Sequence, residues 1–135
     1  MKCPAGKETK ITSPNSSYND TETGVYGASN LKTIGSMSAK YLTTLDLSSA
    51  INLLEIDLGN SDSKYENTGL KTVTFGANDM LRKINIENCR GLAGNLNVQS
   101  CKNITEINAR GTNITGVDFS KDSHIVETLY LPSST

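Results

Sequence analysis

Cys3, Cys89, Cys101, the single histidine His124 and fourteen acidic residues are the side chains to weigh first for bond formation, metal binding or proton transfer in this chain. A zinc site needs closely spaced thiolate and imidazole ligands, and no C-x-x-C pair or Cys/His cluster supplies them. Three cysteines cannot all pair, which argues against a disulfide framework. His124 has no serine or cysteine elbow beside it and no second histidine, so it reads as a turn residue. Paired carboxylates do acid–base work in a concave, partly desolvated pocket, which exposed strand faces do not offer. The expectation is a non-catalytic chain that needs no cofactor and no metal.

Charge narrows the partners. Thirteen basic and fourteen acidic residues are spread along 135 positions, and 5% of residues are aromatic. That provides neither a cationic footprint nor stacking platforms, so nucleic acid is not expected as a partner. No run reaches the roughly 18 apolar residues of a membrane helix. The start, "MKCPAGKETKITSPNSS", lacks the apolar segment of a secretory leader. A place on a cell surface or virion would follow from membership of a larger protein.

The elements that must position any site follow from a repeated pattern. Residues 1–30 are polar and turn-rich, with no sustained period, and read as a flank or irregular cap. From Leu31 onward, apolar–x–x–apolar–x–apolar recurs nine times: Leu31/Ile34/Ser36, Leu42/Leu45/Leu47, Leu53/Ile56/Leu58, Leu70/Val73/Phe75, Leu81/Ile84/Ile86, Ala93/Leu96/Val98, Ile104/Ile107/Ala109, Ile114/Val117/Phe119 and Val126/Leu129/Leu131. The starts are 11, 11, 17, 11, 12, 11, 10 and 12 residues apart, with one insertion, "GNSDSKYENTG". Three places after each last apolar residue stands a small one: Ala50, Ser61, Asn78, Cys89, Cys101, Thr112, Asp122 or Ser134. Self-similarity of this kind marks a stack of equivalent units.

"LRKINIENC" and "LNVQSC" follow L-x-x-L-x-L-x-x-N/C, and the chain resembles the leucine-rich repeat family from residue 31 to 135. Its texture is most similar to short-period repeats in surface proteins of gut Bacteroidetes and in their phages. The resemblance implies coils at 31–52, 53–80, 81–103 and 104–124 and a partial coil at 125–135, each full coil with two short strands. The stretches between strands are about five residues long and rich in Asn, Gly and Ser, too short for a helix. The expected fold is mostly β: a solenoid of short parallel strands on two faces, with little or no helix.

In a parallel stack, equivalent residues of successive coils become neighbours. On the first strand one outward column reads Thr33, Glu55, Lys83, Glu106, Thr128, the next Gly35, Asp57, Asn85, Asn108, Tyr130, and a third Met37, Gly59, Glu87, Arg110, Pro132. On the second strand the columns read Asp46, Thr74, Asn97, Asp118 and Thr44, Thr72, Asn95, Gly116. Candidate binding residues are therefore Glu55, Asp57, Lys83, Asn85, Glu106, Asn108, Arg110 and Tyr130, with Lys64 and Tyr65 from the insertion. The bland alternative is a solubilising face whose exposed pairs contribute roughly 0–1 kcal/mol each. Cys89 and Cys101 fall on the small-residue position and read as structural. The acceptor patterns at Asn15, Asn19, Asn103 and Asn113 arise readily in Asn- and Thr-rich repeats.

The sequence ends on "IVETLYLPSST", and an uncovered last coil would expose apolar core and unpaired backbone. Leu129 and Leu131 are therefore candidate assembly residues, and the expectation is an excerpt of a longer array. Two functions remain open: recognition of a protein or glycan within a larger surface or virion protein, and a structural spacer or assembly element that stacks end to end.

Overall fold

The computed structural model describes residues 10–12, 23–25, 32–35, 44–48, 50–59, 69–121 and 126–132. Cys3, Lys64, Tyr65 and His124 lie outside them. Among the described residues there is no helix, only eleven strands. They are β1 Lys10–Thr12, β2 Thr23–Val25, β3 Thr33–Gly35, β4 Thr44–Asp46, β5 Glu55–Asp57, β6 Thr72–Thr74, β7 Lys83–Asn85, β8 Ala93–Val98, β9 Glu106–Asn108, β10 Asn113–Phe119 and β11 Thr128–Tyr130.

All pairing is parallel, and the chain alternates between sheets. The odd strands make one six-stranded sheet in the order β1-β3-β5-β7-β9-β11, while the even strands divide into β2-β4-β6 and β10-β8. Parallel neighbours need a crossover, and between successive strands of one sheet the chain passes through a strand of another. Within residues 1–30, read as a flank or irregular cap, β1 pairs with β3 in the six-stranded sheet and β2 with β4 in the three-stranded one.

From β5 to β11 two of the three outward columns of the first strand form in the register read from the sequence; Met37 of the third lies outside the described residues. Glu55 lies opposite Lys83, Lys83 opposite Glu106, and Glu106 opposite Thr128; beside them run Asp57, Asn85, Asn108 and Tyr130. Hydrogen bonds continue past the strand ends: Leu58, Ile86 and Ala109 donate their amides to the carbonyls of Asn85, Asn108 and Tyr130, each at 2.8 Å.

Between the sheets Leu45, Leu47, Leu53, Ile56, Leu58, Leu70, Leu81 and Ile84 are fully buried in one apolar cluster. Burying a side chain of this size contributes roughly 1.5–3 kcal/mol. Single strands of three residues have no stability of their own, so this shared core is what holds them.

The small-residue position is the inner corner. Ala50, Asn78, Cys89, Cys101 and Thr112 are all buried. Successive turns pass through it: the Ala50 amide donates to the Leu47 carbonyl and the Leu53 amide to the Ala50 carbonyl, and Ile86, Cys89 and Leu92 repeat the arrangement. A larger side chain would collide with the core that these turns enclose.

One alignment needs correction. Ala93 is exposed, and Leu92 occupies the core in its place. With Leu92 as the inward residue the spacing from Leu81 is 11 and the 12-residue spacing runs from Leu92 to Ile104, across Gly94, whose φ of +74° suits glycine. Its neighbour strand carries a matching irregularity between Ile114 and Gly116. A second correction concerns the even-strand columns. Asp46 pairs with Thr74 and Asn97 with Asp118, but no pairing joins β6 to β8, so these columns do not run through.

Candidate functional site

The six-stranded sheet is built from three-residue strands, and three of them, β5, β7 and β9, end in a residue that closes its own turn. Asp57 Oδ1 accepts from the Gly59 amide at 3.2 Å, Asn85 Oδ1 from Glu87 at 3.1 Å and Asn108 Oδ1 from Arg110 at 3.3 Å. On the even strands Asp46 and Asn97 do the same for Ser48 and Gln99. A short side-chain oxygen two residues before an amide substitutes for a backbone turn bond, which is why Asp and Asn recur at this place.

These residues also link neighbouring strands. Asn85 Nδ2 donates to Asp57 Oδ1 at 2.9 Å, and Asn108 Nδ2 donates to Glu87 Oε2 at 3.4 Å. Three of the candidate binding residues, Asp57, Asn85 and Asn108, are thus already engaged in holding the strand ends. What the surface offers outward is the charged column Glu55, Lys83, Glu106 and the pair beyond it.

That pair is Arg110 and Tyr130. The guanidinium carbon of Arg110 lies 3.8 Å from the centroid of the Tyr130 ring. Arg110 is exposed and Tyr130 is 40% exposed, so both retain an open side. Stacking fixes a long side chain that would otherwise sample many rotamers, which presents its donors in a set direction. The sequence placed Arg110 beneath Glu87; the contact with Tyr130 needed the register of β9 against β11.

Leu129 and Leu131 are 40% and 45% exposed on and just after the outermost strand β11. Ile51 and Met80 are also about half exposed, at 49% and 48%.

The buried polar groups explain the corner residues. Asn78 Nδ2 donates to the carbonyls of Leu47 at 3.0 Å and Ala50 at 2.9 Å, while its Oδ1 accepts from the Gly76 amide at 2.8 Å. Cys89 Sγ reaches the Leu58 carbonyl at 3.4 Å, again 31 residues back. Thr112 Oγ1 donates to Ala109 at 2.7 Å. Cys89 and Cys101 are both buried in the core, and burial pushes the Cys101 thiol up to about 11. Among the described residues no three His, Cys, Asp or Glu side chains come together as a metal site.

Asn103 and Asn113, both in acceptor-like patterns, use their amide nitrogens internally. Each donates to a backbone carbonyl at 2.6 Å, Asn103 to Asp79, 24 residues back, and Asn113 to Arg90, 23 residues back.

A feature that sequence reasoning missed lies between β6 and β8. A cleft of about 350 Å³ opens there, lined by Val73, Thr74, Phe75, Asn97, Gln99 and Ser100. The only sequence signal was the 12-residue spacing across Gly94. Comparison of the chain with family models, with curated proteins and with solved structures finds no match.

Proposed function

We propose that this chain is a leucine-rich-repeat solenoid acting as a non-catalytic recognition module, which binds a protein or glycan through the outer surface of its six-stranded sheet within a larger surface or virion protein. The observation that carries this reading is the Arg110–Tyr130 pair, an exposed cation held over an exposed ring at 3.8 Å beside the charged column of Glu55, Lys83 and Glu106. Arginine and tyrosine are enriched where interfaces concentrate their binding energy. The repeat reading is supported by the alternation of strands between sheets and by the buried corner residues at 78, 89, 101 and 112.

The test is binding of the wild-type chain to arrays of glycans and of extracellular proteins, with Arg110→Ala/Tyr130→Ala as the control. Binding to an array member that the double variant loses, with its melting temperature within a few degrees of wild type, supports the reading. Binders that are all insensitive to this variant and to Lys83→Ala, or no binder at all, would sink it.

A second reading has its own observation. Leu129 and Leu131 are exposed on the outer side of β11, where an end-to-end partner would cover them. An assembly element predicts concentration-dependent species in light scattering that Leu129→Lys abolishes; a monomer across a hundredfold range of concentration counts against it.

A further inference from the structure

The even strands are interrupted between β6 and β8, and the interruption has a chemical character of its own. Val73 and Phe75 hold the inward places that Leu45 and Leu47 take on β4 and its exit, and that Leu96 and Val98 take on β8. Those four are at most 5% exposed, whereas Val73 and Phe75 are only partly buried against the core. Their uncovered sides form the apolar part of the cleft.

Thr74, Asn97, Gln99 and Ser100 supply the remaining lining, so the cleft carries two hydroxyls and two primary amides and no charged side chain. Asn97 Oδ1 is turned onto the Gln99 amide at 3.0 Å, which leaves its Nδ2 as the donor toward a ligand. The backbone edges on either side are also open. Leu47 donates its amide to the Thr74 carbonyl at 2.8 Å, but among the described residues no corresponding bond carries the ladder from Phe75 to β8. A volume of about 350 Å³ stands at the lower end of the roughly 300–1,000 Å³ of small-molecule sites.

We propose that this cleft is a binding site for a neutral saccharide, one or two sugar rings of a glycan. The C–H face of a pyranose is apolar and would lie on Phe75 and Val73. Its hydroxyls both donate and accept, and the amides of Asn97 and Gln99 with the hydroxyls of Thr74 and Ser100 do the same. An anionic ligand would find no cation in the lining, and burying an unpaired charge there is costly. A peptide strand would pair with the open backbone edges and would make little use of the two amides. The inference rests on the recognition reading but uses a different surface from the Arg110–Tyr130 face.

The test is a titration of isotope-labelled protein, followed by amide chemical shifts, with glucose, galactose, mannose, N-acetylglucosamine and their β-linked disaccharides at up to tens of millimolar. The proposal predicts saturable shifts centred on Thr74, Phe75, Asn97, Gln99 and Ser100. Asn97→Ala/Gln99→Ala should weaken them by at least about tenfold, equivalent to about 1.4 kcal/mol, while the dispersed amide spectrum shows that the variant stays folded, and Arg110→Ala should leave them unchanged. No saturable shift with any of these sugars overturns the proposal. Shifts centred on Arg110 and Tyr130 overturn it while keeping the recognition reading. Shifts in the cleft that Asn97→Ala/Gln99→Ala does not weaken also overturn it, because the amides would then play no part.

Discussion

Arg110 and Tyr130 meet across two parallel strands, with the guanidinium 3.8 Å above the ring. They stand 20 residues apart in sequence, and only the pairing of Asn108 with Tyr130 brings them together. Because both are exposed, the contact contributes modestly to stability, about 0.5–1 kcal/mol. Tyr130→Ala should therefore change the melting temperature little, while Arg110 loses its fixed direction. Thermal unfolding of Tyr130→Ala beside Tyr130→Phe checks this: the phenylalanine variant should match wild type, since the ring face is kept.

Asn78 should be the most sensitive polar residue of the core. Its side chain makes three hydrogen bonds while fully buried, and removing it strands the Gly76 amide and takes one of two bonds from each of the Leu47 and Ala50 carbonyls, which keep the Ala50 and Leu53 amides. Asn78→Ala should cost about 1–3 kcal/mol, the cost of one orphaned buried amide, with the weakened carbonyls adding to it. Cys89→Ala, at the equivalent corner with a long thiol contact of 3.4 Å to the Leu58 carbonyl, should cost less. Denaturant unfolding of the two variants orders them; a cost for Cys89→Ala that equals or exceeds that for Asn78→Ala would contradict the equivalence drawn here.

Gly76 is constrained by close approach. A Cβ placed on it would stand 2.5 Å from the backbone oxygen of Ser48, and backbone cannot yield as a side-chain tip can. Gly76→Ala should destabilise by about 1–3 kcal/mol, despite the lower unfolded-state entropy that alanine brings. The midpoint of urea unfolding measures it.

The corner cysteines should resist modification. With the Cys101 thiol held up to about 11 by burial, and with Asp79 nearby disfavouring the thiolate, the nucleophilic form is scarce at mildly alkaline pH. In a Cys3→Ser background, intact mass after maleimide treatment should show no label on the native protein and two labels after denaturation.

Asp46 gives the acid limb of stability a named contributor. Hydrogen bonds from the Ser48 side chain and the Ser48 amide hold its carboxyl below the usual carboxylate range, against a smaller opposing effect of burial. A lowered folded pKa means that the stabilisation is complete above the unfolded carboxylate value and is lost as pH falls through the folded one. Asp46→Asn keeps an oxygen for the Ser48 amide and does not titrate, so its melting temperature should fall less steeply than that of wild type from about pH 5 to about pH 2.

Much of this was legible in the sequence because the repeat is short and its two demands are simple. Leu, Ile and Val at fixed places had to be inward, and Ala50, Asn78, Cys89, Cys101 and Thr112 had to fit a crowded corner, so strand positions and the Glu55–Lys83–Glu106 register could be read directly. Ala93 misled the alignment because the pattern tolerates alanine at an inward place, and whether Leu92 or Ala93 enters the core depends on a left-handed turn at Gly94 that spacing alone does not reveal. The strands at 10–12 and 23–25 were hidden because isolated short strands with few apolar residues carry no period. The gap between β6 and β8 was hidden for a related reason: pairing is a property of neighbouring units, whereas the pattern describes one unit at a time.

One sheet runs unbroken across six strands, whereas the even strands are interrupted between β6 and β8. Residue-resolved amide hydrogen exchange tests it most directly. The amides of Leu47, Leu58, Ile86 and Ala109, each bonded to the next strand of its sheet at 2.8 Å, should be strongly protected, and the Phe75 amide should exchange much faster. Phe75 protected as well as Leu47 would contradict the account, for it would mean that the even strands form one continuous sheet and that the cleft is closed.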